Sequence, residues 1–212
     1  EYFVILGPTG AGKTVLLETI AGLYCPEKGH ILIDSKDVTA TPPERRGVSF
    51  VHQDYALFPH LDVTSNIAFG LRLKREDRDS IWDRVRSISR LMEISHLLHR
   101  KPETLSGGEQ QRVALARALV VEPDFIICDE SVSALDVSVQ AQILNLMLDL
   151  QDELGLTYLF VAHDLRVVKH ISDRVAVMYV GKIVEMAGTV PLFNNPKHPY
   201  TEALLSAVPK PD

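Results

Sequence analysis

Short apolar runs alternate with segments of helical periodicity along most of this chain. The apolar runs have the length of buried β-strands and occupy residues 2–6, 47–51, 125–130 and 157–162. Between them, apolar residues recur with helical spacing in residues 15–21, 110–120 and 137–154, the last with a stripe at Val139, Ile143, Met147, Leu150 and Leu154. Strands that alternate with helices predict an α/β fold with a mainly parallel sheet, which binds ligands at the carboxyl ends of its strands.

Three stretches depart from this alternation. Residues 63–98 are more polar and helical, with apolar positions 81, 85, 88 and 92 on one face, and carry no strand signal. Residues 30–34 are predicted as a further strand, and residues 175–179 and 182–184 as a hairpin. We therefore predict a single domain over residues 1–212, divided into a core of residues 1–62 and 105–190, a helical subdomain of about residues 63–104, and a tail of residues 191–212 with a short helix.

The net charge of the chain bears on which kinds of molecule it binds. Its 212 residues include 46% hydrophobic and 24% charged residues, an ordinary globular balance, and carry a net charge of −6. This negative charge argues against nucleic acid as a partner, because duplex binders usually carry a basic surplus. We accordingly expect the basic pairs Arg45-Arg46 and Lys74-Arg75 to be solvated faces.

The cysteines and the lengths of the apolar runs bear on location. Cys25 and Cys128 form no C-x-x-C motif and no metal-ligand spacing, which favours a reduced, cytoplasmic protein. No apolar run reaches the roughly 18 residues that a membrane helix needs, so we expect no direct membrane insertion. Work at a membrane would therefore require docking on a partner.

A glycine-rich segment directly after the first strand has the G-x-x-x-x-G-K-[ST] pattern of a phosphate-binding P-loop. Glycines let backbone N–H groups crowd around an anion, and the positive end of the following helix points at the same anion. Lys13 can reach the outer phosphates, and the Thr14 hydroxyl can ligate Mg²⁺. The predicted loop comprises Gly7, Pro8, Thr9, Gly10, Ala11, Gly12, Lys13 and Thr14.

The strand predicted at residues 125–130 ends in two carboxylates, Asp129 and Glu130. In proteins with a P-loop, an aspartate at this place holds Mg²⁺, directly or through water. Glu130 can polarise a water molecule for attack on a γ-phosphate. In isolation the same pattern also fits a strand that ends at a polar turn, but here it follows a P-loop.

A second glycine-rich segment opens the helix predicted at residues 110–120. Ser106 and the two glycines after it present a hydroxyl and N–H groups at a helix N-terminus, where an anion can bind. Ser106 and Glu109 also form an S-x-x-E capping box, which would serve the helix itself. Both interpretations stay open for the run of Leu105, Ser106, Gly107, Gly108, Glu109 and Gln110.

Three weaker signals complete a set of six motifs. Gln53 follows an apolar strand, His163 follows another, and residues 133–136 precede the long helix, where they would also pass as an ordinary helix cap. In this order the six motifs resemble those of the nucleotide-binding domain of an ATP-binding-cassette (ABC) transporter, over essentially the whole chain. Residues 105–112 resemble its signature, Gln53 its Q-loop, His163 its switch histidine, and Ser133, Ala134, Leu135 and Asp136 its D-loop.

The resemblance implies a role for each motif in an ATPase whose ligands are ATP and Mg²⁺. Thr14, Gln53 and Asp129 would hold Mg²⁺, and the P-loop would hold the phosphates. Glu130 would act as the catalytic base or orient the attacking water, and His163 would contact the γ-phosphate.

The resemblance also implies partners. The signature would bind the ATP of a second nucleotide-binding domain, either another copy of this chain or a paralogue, in a head-to-tail dimer. The segment from Tyr55 to about Leu98 would face separate transmembrane permease subunits, at the cytoplasmic face of the cell membrane.

The chain departs from the family pattern at its start. The family usually places an aromatic residue that stacks on adenine upstream of the P-loop, but only six residues precede Gly7. We therefore interpret the chain as a fragment that lacks the N-terminal antiparallel strands. After Glu130 the family commonly has proline, whereas this chain has Ser131, a small change of backbone.

The two halves of the chain resemble different branches of the family. Residues 7–75 resemble the molybdate/tungstate and polyamine importers, whereas residues 128–142 and 195–205 resemble the di- and oligopeptide importers. We hypothesise a chimera, natural or engineered, with a seam near residues 100–125. The transported substrate therefore stays open between peptides and oxyanions or polyamines.

Two other functions compete with an importer ATPase. DNA-repair ATPases share the P-loop and the signature but separate them by long coiled coils, and no sustained heptads lie between Thr14 and Leu105. The second alternative is a truncated or recombined cassette that folds and binds nucleotide without efficient turnover. The missing adenine contact supports this second alternative.

Overall fold

The computed structural model describes residues 1–130 and 135–206, and its centre is a six-stranded sheet. The strands of this sheet are, in spatial order, β4 (Val48–Val51), β5 (Phe125–Asp129), β6 (Thr157–Val161), β1 (Tyr2–Leu6), β7 (Arg174–Tyr179) and β8 (Lys182–Gly188). All neighbouring strands are parallel except β7 and β8, which form an antiparallel hairpin. The predicted α/β fold with a mainly parallel sheet is confirmed.

Helices cover both faces of the sheet. Because neighbouring side chains of a strand point to opposite faces, Ile5, Ile127 and Val161 pack with Leu17 of α1, whereas Val4 lies in the larger core on the other face. The helices are α1 (Lys13–Ala21), α2 (Val63–Ile67), α3 (Phe69–Leu73), α4 (Arg78–Leu91), α5 (Gly107–Leu119), α6 (Val137–Leu154), α7 (Leu165–Ile171), α8 (Thr189–Asn194) and α9 (Pro199–Ser206).

Helices α2, α3 and α4 lie between β4 and β5 in the chain, where the sequence predicts helical segments. In α4, Val85 and Ile88 are buried, Met92 directly after it is also buried, and Ile81 packs partly against the same core. This confirms the helical spacing predicted for these four positions. The N-terminus of α4 is capped by Asp77, whose carboxylate accepts hydrogen bonds from the N–H groups of Asp79 and Ser80.

Several element bounds differ from the prediction. The strand predicted at residues 30–34 is shorter, β2 (Leu32–Ile33), and pairs with β3 (Lys36–Asp37) in a two-stranded antiparallel ribbon that is separate from the main sheet. Strand β8 extends to Gly188, and the tail contains two helices rather than one. The tail is attached to β8 because the carboxylate of Glu185 accepts hydrogen bonds from the N–H groups of Lys197 (2.7 Å) and His198 (2.9 Å).

The expectation that both residues of the pair Arg45-Arg46 are solvated is wrong for Arg46. Its neighbour Arg45 is exposed, but Arg46 is 3% exposed. Its guanidinium donates four hydrogen bonds of 2.7–3.1 Å to main-chain carbonyl oxygens. It therefore satisfies carbonyl groups at the end of α1 and in the loop before β4. The acceptors are the carbonyls of Thr19, Ile20, Thr39 and Thr41.

None of the helices in the described ranges combines the length and the apolar character that crossing a bilayer requires. Cys25 is exposed and Cys128 is buried, and no disulfide joins them. Within the described ranges, no cluster of three or more histidine, cysteine or acidic side chains is arranged to hold a metal ion.

Candidate functional site

Four predicted site residues follow strand ends at one edge of the sheet. Gly7 follows β1, Gln53 lies two residues after β4, Glu130 follows β5, and His163 lies two residues after β6. The strands are adjacent and parallel, with Val51 opposite Cys128, Asp129 opposite Val161, and Ile5 also opposite Val161. Carboxyl ends of parallel strands meet at one edge, which is where α/β sheets bind ligands.

The P-loop has the geometry of an anion cradle. A Cβ atom on Gly7 would lie 2.2 Å from the carbonyl oxygen of Met178, so only glycine allows this approach to β7. Gly10 and Gly12 adopt positive φ angles of 80° and 95°. Helix α1 then begins at Lys13 with no side-chain cap and no acidic residue in its first turn. The N–H groups of that turn are therefore available to an anion.

The Lys13 side chain lies inside the loop. Its Nζ donates hydrogen bonds to the carbonyl oxygens of Gly7 (2.9 Å) and Pro8 (3.0 Å), and the residue is 5% exposed. Burial lowers the pKa of the ammonium group, while the carboxylates of Glu130 and Asp129 oppose that effect. The ammonium group is thus held at the P-loop, where it interacts electrostatically with both carboxylates.

Asp129 is a buried carboxylate with an unused oxygen. It is 7% exposed and lies beside the side chain of Thr14, but its Oδ1 has no hydrogen-bond partner in residues 1–130 and 135–206. Burial raises the pKa of this carboxyl, and the contacts with Thr14, Lys13 and His52 only partly oppose it. An orphaned carboxylate oxygen beside a threonine hydroxyl is the kind of hard oxygen site that fits Mg²⁺.

The side chains of Glu130 and His163 are in direct contact, through a carboxylate oxygen and the ring Nε2. Glu130 has a positive φ of 48°, and its N–H donates to the carbonyl oxygen of Val161. The Glu130 side chain is 17% exposed, and that of His163 is 42% exposed. A cavity of about 200 Å³ adjoins the pair and is also lined by Gln140 and Asp164. The structure therefore brings a potential base and a histidine to one water-accessible place.

Gln53 lies at the same edge but reaches none of these groups. It is exposed, and its side chain makes no hydrogen bond to any described residue. The loop after it turns through Tyr55 and Ala56, both left-handed, with φ angles of 61° and 44°. Arg117 of α5 donates to the carbonyl oxygens of both residues.

The signature segment forms the N-terminus of α5. Ser106 is the N-cap, and the predicted capping box is present, because the Ser106 hydroxyl accepts from the Glu109 N–H while the Glu109 carboxylate accepts from the Ser106 N–H. These contacts with Ser106 lower the pKa of Glu109. Leu105 is buried, and the Gln110 amide donates to the carbonyl oxygens of Pro102 and Leu105. Ser106 itself is exposed at the surface.

The signature glycines pack against the segment after β5. A Cβ on Gly108 would lie 2.6 Å from Cγ1 of Val139 in α6, and one on Gly107 would lie 3.3 Å from Cδ2 of Leu135. Asp136 caps α6 by accepting a hydrogen bond from the Val139 N–H at 3.0 Å. Of the predicted D-loop, Ser133 and Ala134 lie outside the described residues.

The signature and the P-loop remain separate within the chain. No hydrogen bond or ion pair between described residues joins residues 105–110 to residues 7–14. The P-loop, Asp129, Glu130 and His163 form one cluster, and the signature exposes its serine elsewhere.

The sequence gives no signal for the contacts of Arg117 with the loop after Gln53. Arg117 lies in an ordinary helical pattern, and its acceptors are main-chain atoms 61 and 62 positions away.

Comparisons with known proteins agree with this arrangement. A family model described as ABC transporter matches residues 1–133, and a model of the C-terminal region of oligopeptide/dipeptide transporters matches residues 184–212. The molybdate/tungstate import ATP-binding protein WtpC of Pyrococcus abyssi is 50% identical over 196 residues, which cover 92% of this chain and 57% of that protein. The chain thus spans less than two thirds of that relative.

A relative from the other predicted branch also matches. The oligopeptide transport ATP-binding protein AmiF of Streptococcus pneumoniae is 45% identical over 223 aligned residues, covering 100% of this chain and 72% of that protein. The resemblance to both branches is confirmed. Because each relative matches more than nine tenths of the chain, the seam near residues 100–125 stays a hypothesis.

The fold has a counterpart among solved structures. The ATP-binding cassette MJ0796, a dimer in a post-hydrolysis state with bound ADP and Pi, superposes with a TM-score of 0.79 at 30% identity, covering 89% of this chain and 85% of that chain. The chain has a P-loop beside the acidic end of β5 and a separate, capped signature helix, and the family model matches more than half of its residues. These findings lead to one conclusion. The chain belongs to the ABC transporter family.

Proposed function

We propose that this chain is the ATP-binding and ATP-hydrolysing subunit of an ABC importer and powers uptake through separate transmembrane subunits. The observation that carries the proposal is the contact between Glu130 and His163 next to the P-loop. A phosphate cradle alone would fit any nucleotide-binding protein. A carboxylate that touches a histidine at the same sheet edge provides the groups that hydrolysis requires.

The P-loop would bind the phosphates of ATP. The ammonium group of Lys13 now donates to the carbonyl oxygens of Gly7 and Pro8, and phosphate oxygens would replace these acceptors. The N–H groups of the first turn of α1, which no side chain caps, would donate to the same phosphates. The remaining loop residues, Thr9, Gly10, Ala11 and Gly12, would contribute backbone rather than side-chain contacts.

A bound Mg²⁺ would be held by the Thr14 hydroxyl, the Asp129 carboxylate and the Gln53 amide. The first two fit this role because Oδ1 of Asp129 is buried without a partner among the described residues and Thr14 lies against the same carboxylate. When bound, the ion would neutralise charge on the phosphates. Gln53 would have to turn from its exposed position to join them.

Glu130 would act on the attacking water. Its carboxylate would accept a proton from the water, or orient it, as the oxygen approaches the γ-phosphate. His163 now contacts this carboxylate through Nε2 and would contact the γ-phosphate when ATP is bound. The pair would thereby connect the state of the nucleotide to the position of the loop after β6.

The signature would complete the site of a second nucleotide-binding domain. Ser106 is exposed and is not joined to the P-loop of its own chain, so its ligand would come from another subunit. We propose a head-to-tail dimer, with a second copy or a paralogue, in which Gly107 and Gly108 approach the partner's ATP. The dimeric state of the cassette MJ0796 supports this arrangement.

The permease subunits would dock on residues 55–98, and the assembly would lie on the cytoplasmic face of the cell membrane. Relatives of this chain are named for the import of molybdate/tungstate, spermidine/putrescine and oligopeptides. The match of residues 184–212 to oligopeptide/dipeptide transporters supports peptides as the substrate. The identity of 50% to a molybdate/tungstate importer supports oxyanions.

Comparison of the protein with its Glu130→Gln variant tests the proposal. We expect ATP-dependent phosphate release from the unmodified chain, and a decrease of about 10²-fold or more in the variant, because the amide cannot accept a proton. Binding of a fluorescent ATP analogue should be retained in both proteins. If both bind nucleotide and release phosphate at the same background rate, the chain is the non-hydrolysing cassette and the catalytic assignment is wrong.

A further inference from the structure

The loop that carries Gln53 contains a pair of unusual backbone conformations. Tyr55 and Ala56 are consecutive residues with side chains and both lie in the left-handed region, with φ angles of 61° and 44°. L-residues adopt this region reluctantly because Cβ approaches the following carbonyl oxygen. Two such residues in succession persist only where surrounding contacts stabilise them.

Arg117 supplies these contacts. Its Nη1 donates to the carbonyl oxygen of Ala56 at 2.6 Å, and its Nη2 donates to that of Tyr55 at 2.8 Å. The same guanidinium lies over the ring of Phe58, 5.5 Å from its centroid. No ion pair joins Arg117 to a carboxylate in the described part of the chain, so its short-range polar contacts are directed at this loop.

Further bonds fix the chain on either side of Gln53. Before it, the Ser49 hydroxyl of β4 donates to the carbonyl oxygen of Ala118 in α5 at 2.7 Å, in a buried environment. After it, the Asn66 side chain accepts from the Phe58 N–H at 2.8 Å and donates to the Phe58 carbonyl at 3.1 Å. Both ends of the loop are thus attached, and Arg117 is the link between its left-handed pair and α5.

Helix α5 connects this loop to the signature. Its N-cap is Ser106, and Arg117 lies eleven residues later, which is about 16 Å along a regular helix. The interior of α5 is buried, and the helix packs against β4, α2 and α6. A displacement of its first turn would therefore be carried to the guanidinium at its other end.

We propose that Arg117 is a positioning residue that sets the orientation of Gln53 and couples it to the signature end of α5. This inference rests on the proposed ATPase function. ATP of a second subunit, bound at Ser106, would shift α5 and, through Arg117, the left-handed pair that follows Gln53. Gln53 would then reach the metal site in the same chain only when the partner's nucleotide is in place.

Variants of Arg117 and a matched arginine on another element test this proposal. Arg174 also lies over a phenylalanine ring, 5.1 Å from the centroid of Phe3, but it belongs to β7, which β5, β6 and β1 separate from β4 and the loop of Gln53. The set comprises Arg117→Ala, Arg117→Lys and Arg174→Ala. Lysine keeps the charge but offers a single donor centre in place of the planar fork, so it should satisfy one carbonyl instead of two.

We expect Arg117→Ala to lower kcat for ATP hydrolysis about 10- to 100-fold with KM changed less than about 2-fold, because phosphate binding does not involve this loop. Arg117→Lys should recover part of the loss, and Arg174→Ala should retain the unmodified kcat. A role of Arg117 in folding alone would instead lower the fraction of folded protein and leave kcat per folded molecule unchanged.

Hydrogen exchange of nucleotide-free protein provides a readout that does not require turnover. The Tyr55 N–H is bonded to the His52 carbonyl and the Phe58 N–H to Asn66, so both should be protected. Exchange at residues 52–58 should accelerate about 10-fold in Arg117→Ala, and not in Arg174→Ala. If the unmodified chain lacks ATPase activity, the proposed function is wrong, but hydrogen exchange still shows whether Arg117 anchors the loop after Gln53. Unchanged exchange, or a kcat loss no larger than that of Arg174→Ala, overturns the inference.

Discussion

The carboxylate of Glu130 contacts Nε2 of His163 across the carboxyl ends of two neighbouring strands, β5 and β6. The contact depends on the parallel pairing that sets Asp129 opposite Val161, so that the loops after both strands leave the sheet side by side. Glu130 adds a left-handed turn of its own at φ 48°. Because the two side chains touch, their roles can be told apart only by replacing each of them separately.

His163→Ala should lower kcat for ATP hydrolysis by about 10²-fold while nucleotide affinity changes little, since the imidazole would act at the reaction rather than on the bound ground state. Phosphate release under saturating ATP measures this effect. His170→Ala is the matched control, because His170 is an exposed histidine of the following helix. A His163 variant that hydrolyses ATP within about twofold of the unmodified protein would exclude a catalytic role for this side chain.

Asp129→Asn should stabilise the nucleotide-free protein. The pKa of Asp129 is raised above its ordinary value of 3.8 by burial, so the charged form is penalised in the folded state at neutral pH. Removing that charge should increase the free energy of unfolding by about 1 kcal/mol at pH 7, measured by urea denaturation. The advantage should disappear as pH falls through the raised folded-state pKa, where the carboxyl of the unmodified protein becomes neutral as well.

The order of stability should reverse when Mg²⁺ and ATP are added. The unmodified protein should gain thermal stability from the bound ligands, whereas Asp129→Asn should gain less because it lacks one anionic oxygen for the ion. Asp149→Asn, at an exposed position of α6, should behave like the unmodified protein in both conditions. An equal gain in all three proteins would contradict a metal-binding role for Asp129.

Arg46→Ala should destabilise the fold by about 2–4 kcal/mol, because it removes four hydrogen bonds in a partly buried place, and of their acceptors the Thr19 carbonyl keeps a bond from the Gly22 N–H. Arg46→Lys should lose a substantial part of the same amount, since an ammonium group lacks the planar fork of five N–H donors. Urea denaturation measures both. Arg45→Ala, one residue earlier and exposed, should stay within about 0.5 kcal/mol of the unmodified protein.

Glu109→Ala should lower the free energy of unfolding by about 1 kcal/mol at pH 7, through loss of the capping box with Ser106. The Ser106 contacts, aided by Arg100 and His96, lower the pKa of Glu109 below its ordinary value of 4.5. The stabilisation is therefore complete above about pH 4.5 and is lost as pH falls through the lower folded-state pKa.

The difference between Glu109→Ala and the unmodified protein should accordingly shrink below about pH 4, when the cap carboxylate becomes protonated. Unfolding curves from pH 3 to pH 7, roughly the range over which a carboxyl titrates, measure this trend. Glu103→Ala, at an exposed position just before the signature, should show no such trend. A difference that is constant over the whole range would show that the cap does not depend on the charge of Glu109.

Local patterns account for the parts of this protein that sequence reasoning predicts. The bounds of Tyr2–Leu6 and Val137–Leu154 agree with the prediction because periodicity and end signals lie within the elements themselves. The capping box of Ser106 and Glu109 is predictable for the same reason, as its partners are three residues apart. The strand predicted at residues 30–34 is present but shorter, and its pairing of Leu32 with Asp37 was not predictable because a short alternating run does not specify its partner.

Taken alone, the amino-acid order determined most strands of the main sheet, the helices α1, α5 and α6, the phosphate-binding loop and the family. The tertiary structure decided that Arg46 is buried at the end of α1, that Arg117 supports the loop of Gln53, and that Glu130 meets His163. The partners of the two arginines lie 26 and 61 positions away in the chain. Which groups come within hydrogen-bond distance over such separations depends on the strand order and on packing of the whole core, and no local pattern encodes either.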